Sequence, residues 1–306
     1  MTTASIIVRC KNEEDGIAPT LNGIFEQRTR PHEVIVVDSG STDATLDAVA
    51  CYPVKLLHLP PKYWGYSHAL NVAAGEATGD VLVCLSAHCP PATRDWLGNL
   101  LRHFDDPAVA AVWGPPVRPG RSLPEPEPVI IQLPGTYQFE NRFWGLSNGN
   151  SALRRSLWQE FPFDEDLPAA EDKAWGREAL ARGYAIVYDP AAPVWHEPHS
   201  VLAAYRRSRA IHEGFQAMFP QYQAPRAEGL ASLVRAVRRA GARHLREGDV
   251  AALGHDLARF PSTVAAVVGG MFTRRMRTMS PRRRGADRER AASPRERQRH
   301  RRRVSR

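Results

Sequence analysis

Glu33-Val-Ile-Val-Val-Asp38-Ser-Gly-Ser-Thr-Asp43 is the stretch on which the fold turns. Its apolar run shows no polar alternation, so it reads as a strand covered on both faces, the signature of a parallel sheet between helices. The run stops at Asp38, and Ser39 to Asp43 opens a helix whose apolar face carries Leu46, Val49 and Ala50. Reading outward, Ser5-Ile-Ile-Val-Arg9 is a second strand, followed by helical spacing of Ile17, Leu21, Ile24 and Phe25 between Gly16 and Gln27. Downstream, Val54 to Leu59 and Asp80 to Ser86 read as strands separated by a helix from Ser67 to Ala77. Alternating strands and helices imply an α/β fold with a mostly parallel central sheet and flanking helices. In such sheets ligands sit beyond the carboxyl ends of the strands, which gathers Arg9 to Glu13, Asp38 to Ser41 and Ser86 to His88 around one crevice.

The remaining chain is organised differently. Residues 115 to 135 hold seven prolines and read as loop or extended edge. An acidic stretch from Phe163 to Asp172 precedes a helix from Lys173 to Arg182 closed by Gly183, and Ala185 to Tyr188 forms another strand leading to Val194-Trp-His196. Three regions are expected: a catalytic-type α/β domain over 1–200, Ala- and Arg-rich helices over 201–272, and a solvated tail over 273–306.

With 306 residues, 43 % hydrophobic and 24 % charged, the chain buries a full core and is neither a disordered protein nor a disulfide-stapled miniprotein. Cys10, Cys51, Cys84 and Cys89 form no disulfide framework and no CxxC metal knuckle. The net charge of +8 misleads until it is located: Met271 to Arg306 holds fifteen Arg against three acids, a net of +12, which leaves −4 for residues 1 to 270. Such an arm suits weak contact with an anionic membrane surface or RNA, and a plain solvated end equally well; it carries no pattern for specific nucleic-acid recognition. The start has no basic region followed by a long apolar core, and no run approaches a membrane span, so the expectation is a cytoplasmic chain, at most peripheral to the inner face of a membrane.

Two acidic features carry chemistry. Asp38, at a strand end before Gly40, suits a contact to a base or ribose, whereas Ser41 or Asp43 serves as the helix cap. Glu171 and Asp172 directly precede a helix; they suit a cap and dipole partner, or a general base aimed into a cleft, and spacing alone does not separate the two. His88 follows the fourth strand directly, and a strand also delivers His196 to the ligand end, which makes both candidate metal ligands.

Ser-Ile-Ile-Val-Arg-Cys-Lys-Asn-Glu-Glu at 5–14, Val-Ile-Val-Val-Asp-Ser-Gly-Ser-Thr-Asp at 34–43 and Ala-Thr-Gly-Asp-Val-Leu-Val-Cys-Leu-Ser at 77–86 resemble the nucleotide-binding half of family 2 glycosyltransferases. Gly149-Asn-Ser-Ala-Leu-Arg-Arg155, Phe-Asp-Glu-Asp-Leu at 163–167, Glu171-Asp172, Ala-Arg-Gly-Tyr at 181–184, Asp189-Pro and His196 continue the likeness in order over about residues 4–200. The resemblance implies a GT-A fold and inverting transfer of a sugar from a nucleotide diphosphate sugar to a hydroxyl of a glycan, lipid-linked or small-molecule acceptor. It also implies Asp172 as base with Glu171 beside it, Asp38 at the base or ribose, Arg9, Glu13 and Ser86 lining the nucleotide pocket, and Asn71 on the diphosphate side.

One departure stands out. The family's Asp-x-Asp, whose hard oxygens hold a divalent ion on the diphosphate, is Ser86-Ala-His88 here, as in rhamnosyltransferase-like members. The expected cofactor is Mn²⁺ or Mg²⁺ held by His88 and His196, Mn²⁺ preferred because imidazole suits it better, and bound only beside the nucleotide because both acids are missing; the alternative is that Ser86 and His88 bind the phosphates directly without metal. A decayed nucleotide-binding module and a scaffold driven by the Arg tail are the competing readings. A nucleotidyltransferase ranks last, since no Gly-rich phosphate loop with a following Lys lies near residue 10.

Overall fold

The structure, a computed structural model, describes residues 2–60, 65–120, 122–123, 128–135 and 145–196, with 214, 217 and 218. These belong to one compact unit made of Met1–Ser200 and Glu213–Gln221. Apart from 214, 217 and 218, the expected helices over 201–272 and the tail over 273–306 lie outside the described residues.

The elements in chain order are β1 Ala4–Cys10, α1 Ile17–Phe25, β2 Glu33–Asp38, α2 Thr45–Val49, β3 Lys55–His58, α3 Tyr66–Glu76, β4 Val81–Ser86, α4 Trp96–Leu101, β5 Val109–Trp113, β6 Pro116–Val117, β7 Ile130–Gln132, β8 Asn150–Arg154, α5 Arg155–Glu160, α6 Glu171–Ala181, β9 Ala185–Tyr188 and β10 Val194–Trp195. Eight strands form one sheet in the order β3-β2-β1-β4-β8-β5-β9-β7. β1, β2, β3, β4, β5 and β9 run one way, and only β7 and β8 run against them. The sheet is therefore mixed, with the parallel majority that the sequence implies.

The strand pleat sorts the core into two layers. Ile6, Val8, Val36, Val83 and Leu85 pack on the face covered by Ile17, Leu21 and Ile24 of α1 and by Trp96, Leu97 and Leu100 of α4. Ile7, Ile35, Val37, Leu82 and Cys84 face the opposite way, onto Ala69, Leu70 and Ala73 of α3, Leu157 of α5 and Trp175, Ala179 and Leu180 of α6. Each fully buried aliphatic side chain contributes about 1.5–3 kcal/mol, so a strand such as β1, apolar on both faces, is stable only at the centre of this sandwich. Pro19 falls in the first turn of α1, where its missing N–H costs no helical bond.

The proline-rich stretch yields two short strands, β6 and β7. β7 lies at an edge of the large sheet, where a break in the ladder is tolerated. Asp80, read from sequence as the start of a strand, stands just before β4 and accepts from the N–H and hydroxyl of Thr3. β8 is the element that periodicity does not disclose, because Asn150 and Ser151 are polar yet buried. Trp96 Nε1 donates to Asn150 Oδ1 at 2.8 Å and Asn150 Nδ2 donates to the Ala192 carbonyl at 2.8 Å, so these amide groups are satisfied inside the sheet. Gly114 lies beside them, and a Cβ there would sit 1.9 Å from the Ala192 oxygen, so only glycine fits.

Asp189, at the end of β9, holds this edge together. Its carboxylate is fully buried and accepts from Arg102 at 2.7 Å, His103 at 2.7 Å and the Ala191 N–H at 2.9 Å. Burial alone would raise its pKa; the hydrogen bonds from His103 and Ala191 and the charges of Arg102 and His103 outweigh that and hold it below the ordinary Asp value of 3.8. A group with a depressed folded pKa adds stability that is complete above its unfolded pKa and is lost as pH falls through the folded one. Asp189→Asn is accordingly expected to cost about 2 kcal/mol in urea unfolding at pH 7, the scale of a charge-assisted hydrogen bond, and to flatten the stability loss of the parent protein below about pH 4. An unchanged midpoint at pH 7 would remove Asp189 from the structural account.

Candidate functional site

Every expected site residue except Asn71 gathers where the parallel strands end. Three loops meet there: 11–16 after β1, 39–44 after β2 and 87–92 after β4. They are stitched by side chains to backbone. Asn12, in the left-handed region at φ 54°, accepts from Thr42 N at 2.8 Å and gives its own N–H to Ser41 Oγ at 2.9 Å. Glu13 N donates to Thr45 Oγ1 at 2.7 Å, and Ala44 N donates to Glu14 Oε2 at 3.0 Å.

Asp38 organises the second of these loops. Its carboxylate accepts from the N–H groups of Gly40 and Ser41 at 3.0 Å and from the Ser41 hydroxyl at 2.5 Å, and Gly40 takes φ 87° to close the turn. Loop building therefore also accounts for Asp38: a buried carboxylate at a strand end is the best acceptor for the N–H groups that the turn exposes. Asp43 accepts from Thr45 N at 3.1 Å in the turn ahead of α2, but the N-cap is Ala44 and carries no side-chain cap, so the cap expected of Ser41 or Asp43 is not made.

Asn71 is held by the acidic stretch. Its carboxamide donates to the Phe163 carbonyl at 2.8 Å and to Glu165 Oε1 at 2.9 Å, and accepts from Trp158 Nε1 at 3.0 Å and Phe163 N at 3.1 Å. Those four bonds are the full capacity of an amide side chain. With Ser67 Oγ on the Asp164 carbonyl and His68 Nδ1 on Glu165 Oε2, α3 ties down the acidic stretch ahead of α6.

The acidic pair begins α6. Ala170 takes a left-handed φ of 66° and turns Glu171 and Asp172 into the first helical turn, where the helix dipole favours negative charge. Asn148 straddles the pair, its backbone N–H donating to Asp172 Oδ2 at 3.1 Å and its side-chain amide to Glu171 Oε1 at 3.4 Å. Glu171 is 5 % exposed, and burial, reinforced by the charge of Asp172 and opposed by that of Arg9, pushes its pKa above the ordinary value. Asp172 is only partly buried and keeps access to the crevice. Lys173 next to it is desolvated, which lowers its pKa, and its Nζ lies 5.5 Å from the Trp113 ring. Gly145, at φ 83°, leaves the room this lysine needs, since a Cβ there would meet Lys173 Cδ at 2.9 Å.

Ser86 and Gly149 join the acidic pair to the strand ends, through the Ser86 N–H on the Gly149 carbonyl at 3.2 Å. Arg9 lies in register with Ser86 and places its guanidinium 5.0 Å from the Tyr66 ring. The following turn is held by Cys89 N on the Ser86 carbonyl at 3.0 Å and Thr20 Oγ1 on the Ala87 carbonyl at 2.7 Å. It presents His88, whose Nδ1 is 2.9 Å from Glu13 Oε1. β10 brings His196 across, through Trp195 N on the Pro90 carbonyl at 2.9 Å and His196 N on the Val117 carbonyl at 2.8 Å. The His88 and His196 rings meet edge to face, 5.3 Å between centroids. Cys89 belongs to the same cluster: His88, Cys89 and His196 each offer a ligand atom, and the three lie within 4.8 Å of one another. The signal for Cys89 was its place directly after His88; a search confined to CxxC spacing passes over it.

The thiols of Cys10 and Cys84 are both pushed up to about 12, chiefly by burial. Neither is a nucleophile at neutral pH.

Comparison with known proteins agrees with this architecture. The chain is 27 % identical over 195 residues to the O-antigen chain rhamnosyltransferase RfbN of Salmonella typhimurium, covering 58 % of this chain and 60 % of that protein. It is 26 % identical over 205 residues to the poly-beta-1,6-N-acetyl-D-glucosamine synthase of Staphylococcus aureus, 62 % of this chain and 49 % of that one. The chain thus spans between half and three fifths of the length of these curated relatives. Among solved structures, the mannosyltransferase PcManGT from Pyrobaculum calidifontis with GDP-Man and Mn²⁺ superposes with a TM-score of 0.58 at 21 % identity, covering 87 % of both chains. S. aureus TarS 1-349 with UDP-GlcNAc gives 0.54 at 18 % identity, over 87 % of this chain and 92 % of that one. These two establish a shared GT-A fold. The model of glycosyl transferase family 2 matches residues 5–160, half of the chain, and the protein belongs to that family.

Proposed function

We propose that this chain transfers a sugar, of the deoxyhexose class, from a nucleotide diphosphate sugar to a hydroxyl of a glycan or lipid-linked acceptor, with inversion at the anomeric carbon. The observation that carries this reading is the pairing of a partly exposed carboxylate, Asp172, with a buried one, Glu171, under the single bracket of Asn148, beside the strand ends. The sugar class rests on the relative named a rhamnosyltransferase.

Asp172 takes the proton of the acceptor hydroxyl as that oxygen bonds to the anomeric carbon. The bond from that carbon to the diphosphate oxygen breaks on the opposite side, and its electron pair leaves with the diphosphate. One displacement inverts the centre. Glu171, desolvated and beside a like charge, holds a proton more readily than an ordinary carboxylate, and Asp172, the more exposed of the two, is the one suited to general-base work. Arg9 supplies positive charge near the pair, and the Asp38 loop with Glu13 and Ser86 forms the floor on which the nucleotide is received. The role of Asp38 toward the nucleotide is therefore exerted through the loop that it holds.

Mg²⁺ demands oxygen ligands in octahedral array, whereas imidazole nitrogens also ligate Mn²⁺, so of the two expected ions His88 and His196 suit Mn²⁺, which would offset charge on the donor diphosphate. No step of the transfer is routed through the ion.

Asp172→Asn is expected to lower turnover by about 10²-fold or more while nucleotide affinity stays as in the parent protein, measured by donor hydrolysis and calorimetry. Full turnover in a folded Asp172→Asn protein would discard this base. Asp38→Ala should weaken nucleotide binding by about 1–3 kcal/mol and lower the melting temperature at the same time, because the loss of its acceptors frees the loop. Weakened binding with an unchanged melting temperature would return Asp38 to a direct ligand contact. Thermal shifts with UDP, dTDP and GDP test the donor class; a nucleotide at 100 times its Kd adds about 2.7 kcal/mol to the folded state. No shift with any of the three would overturn the transferase reading.

A further inference from the structure

We infer that Gln132, on the edge strand β7, is a positioning residue for the Glu171–Asp172 pair and acts through the 145–148 segment that brackets it. That role rests on the proposed transfer, whereas the contacts that define it do not.

Gln132 is 0 % exposed although it ends a strand at the border of the sheet, directly after Ile131 at 58 %. In the antiparallel pairing of β7 with β9 it lies opposite Ile186, so its side chain shares the face that α6 covers. There its carboxamide does what a neighbouring strand would do. Oε1 accepts from the Gly145 N–H at 2.6 Å, and Nε2 donates to the Gly145 carbonyl at 3.1 Å. Both main-chain groups of a buried residue are thereby satisfied by one side chain. A core position filled for packing alone takes an apolar residue; a fully buried amide marks a polar constraint on its partner.

The constraint passes along the segment. Gly145 takes φ 83° and lies against Lys173, where a Cβ would meet Cδ at 2.9 Å. Leu146 is fully buried against Gly176, one turn further along α6, where a Cβ would sit 3.4 Å from Leu146 N. Lys173 and Gly176 share one face of the helix whose first turn holds the acidic pair. Asn148 then gives its N–H to Asp172 Oδ2 at 3.1 Å and its amide to Glu171 Oε1 at 3.4 Å. Its other side is anchored from β8, by Ser151 Oγ on Asn148 Oδ1 at 3.1 Å and Asn150 N on the Ser147 carbonyl at 3.0 Å. The bracket is thus fixed from β8 at one end and from Gln132 at the other. Release of the Gln132 end lets the acidic pair shift, and a misplacement of about 1 Å lowers a rate by up to about 10²-fold where it reaches a reacting group.

The test compares the full chain with Gln132→Met, Asp172→Asn and the double variant, using dTDP-rhamnose as donor and water as acceptor. Gln132→Met is expected to lower kcat by about 10-fold or more and the melting temperature with it. Calorimetry with dTDP should give the parent Kd, because the nucleotide loops follow β1, β2 and β4. In the Asp172→Asn background the same substitution should lower turnover no further while still lowering the melting temperature, since residues that act as a unit do not add. A merely structural glutamine would lower turnover equally in both backgrounds. Should Gln132→Met fail to fold, Gln132→Glu keeps the acceptor for the Gly145 N–H, loses the donor when ionised, and carries the same kinetic comparison.

A second readout needs no turnover. The Asn148 amide favours ionised Glu171; the charged groups around that carboxyl are Asp172 and Lys173 on α6 and Arg9 on β1, with the Cys84 thiol of β4 nearby. Loosening Asn148 removes a donor from the ionised form, so the carbon-13 carboxyl titration of Glu171 should move to higher pH in Gln132→Met, with that of Asp80 unmoved as reference. Parent turnover in Gln132→Met, an equal fall in the Asp172→Asn background, or an unmoved Glu171 titration would overturn the inference. Absence of donor hydrolysis by the parent protein would instead count against the transferase reading, and the titration then decides the role of Gln132.

Discussion

The hydrogen bond between Glu13 and His88 is the contact through which the separate strand ends become one site. Glu13 is positioned by its backbone N–H on Thr45 and by its carbonyl, which accepts the first N–H groups of α1. Its carboxylate then reaches the turn after β4. Three loops from adjacent parallel strands are thereby cross-braced, and an error in any of them is transmitted to the histidine. Such bracing costs side-chain entropy, which is tolerable because the underlying strands are already immobilised by core packing on both faces.

The acids of this protein divide by what surrounds them. Asp189, Asp38 and Asp80 are consumed by donors from their own neighbourhood, and each fixes a turn or an edge. Glu165 is spent on α3. Glu171 and Asp172 differ because they are adjacent, unequal in exposure and held by a single residue from another loop, so that the charge of one bears on the other. The proposed division into a base and its neighbour rests on that inequality.

The turn after β4 and a strand end more than a hundred residues later meet because β10 bridges them by pairing with β6 and with Pro91.

From residues alone, the first four strands, their helices and the convergence of their carboxyl ends were legible, because uninterrupted apolar runs between helices admit few solutions other than a sheet covered on both faces. Glu171 and Asp172 were legible as a pair, though not as a divided one. β8 was hidden, since its buried Asn150 and Ser151 are satisfied only by partners that the fold brings from Trp96 and Ala192. What holds Asn71 was not legible, because its donors and acceptors come from α5 and the acidic loop. Cys89 joined His88 and His196 only once β10 had paired with the 90–92 segment. Hydrophobic periodicity is a local property and specifies layers and strand direction, whereas the saturation of a polar group and the convergence of ligands depend on partners distant in the chain, which tertiary structure alone decides.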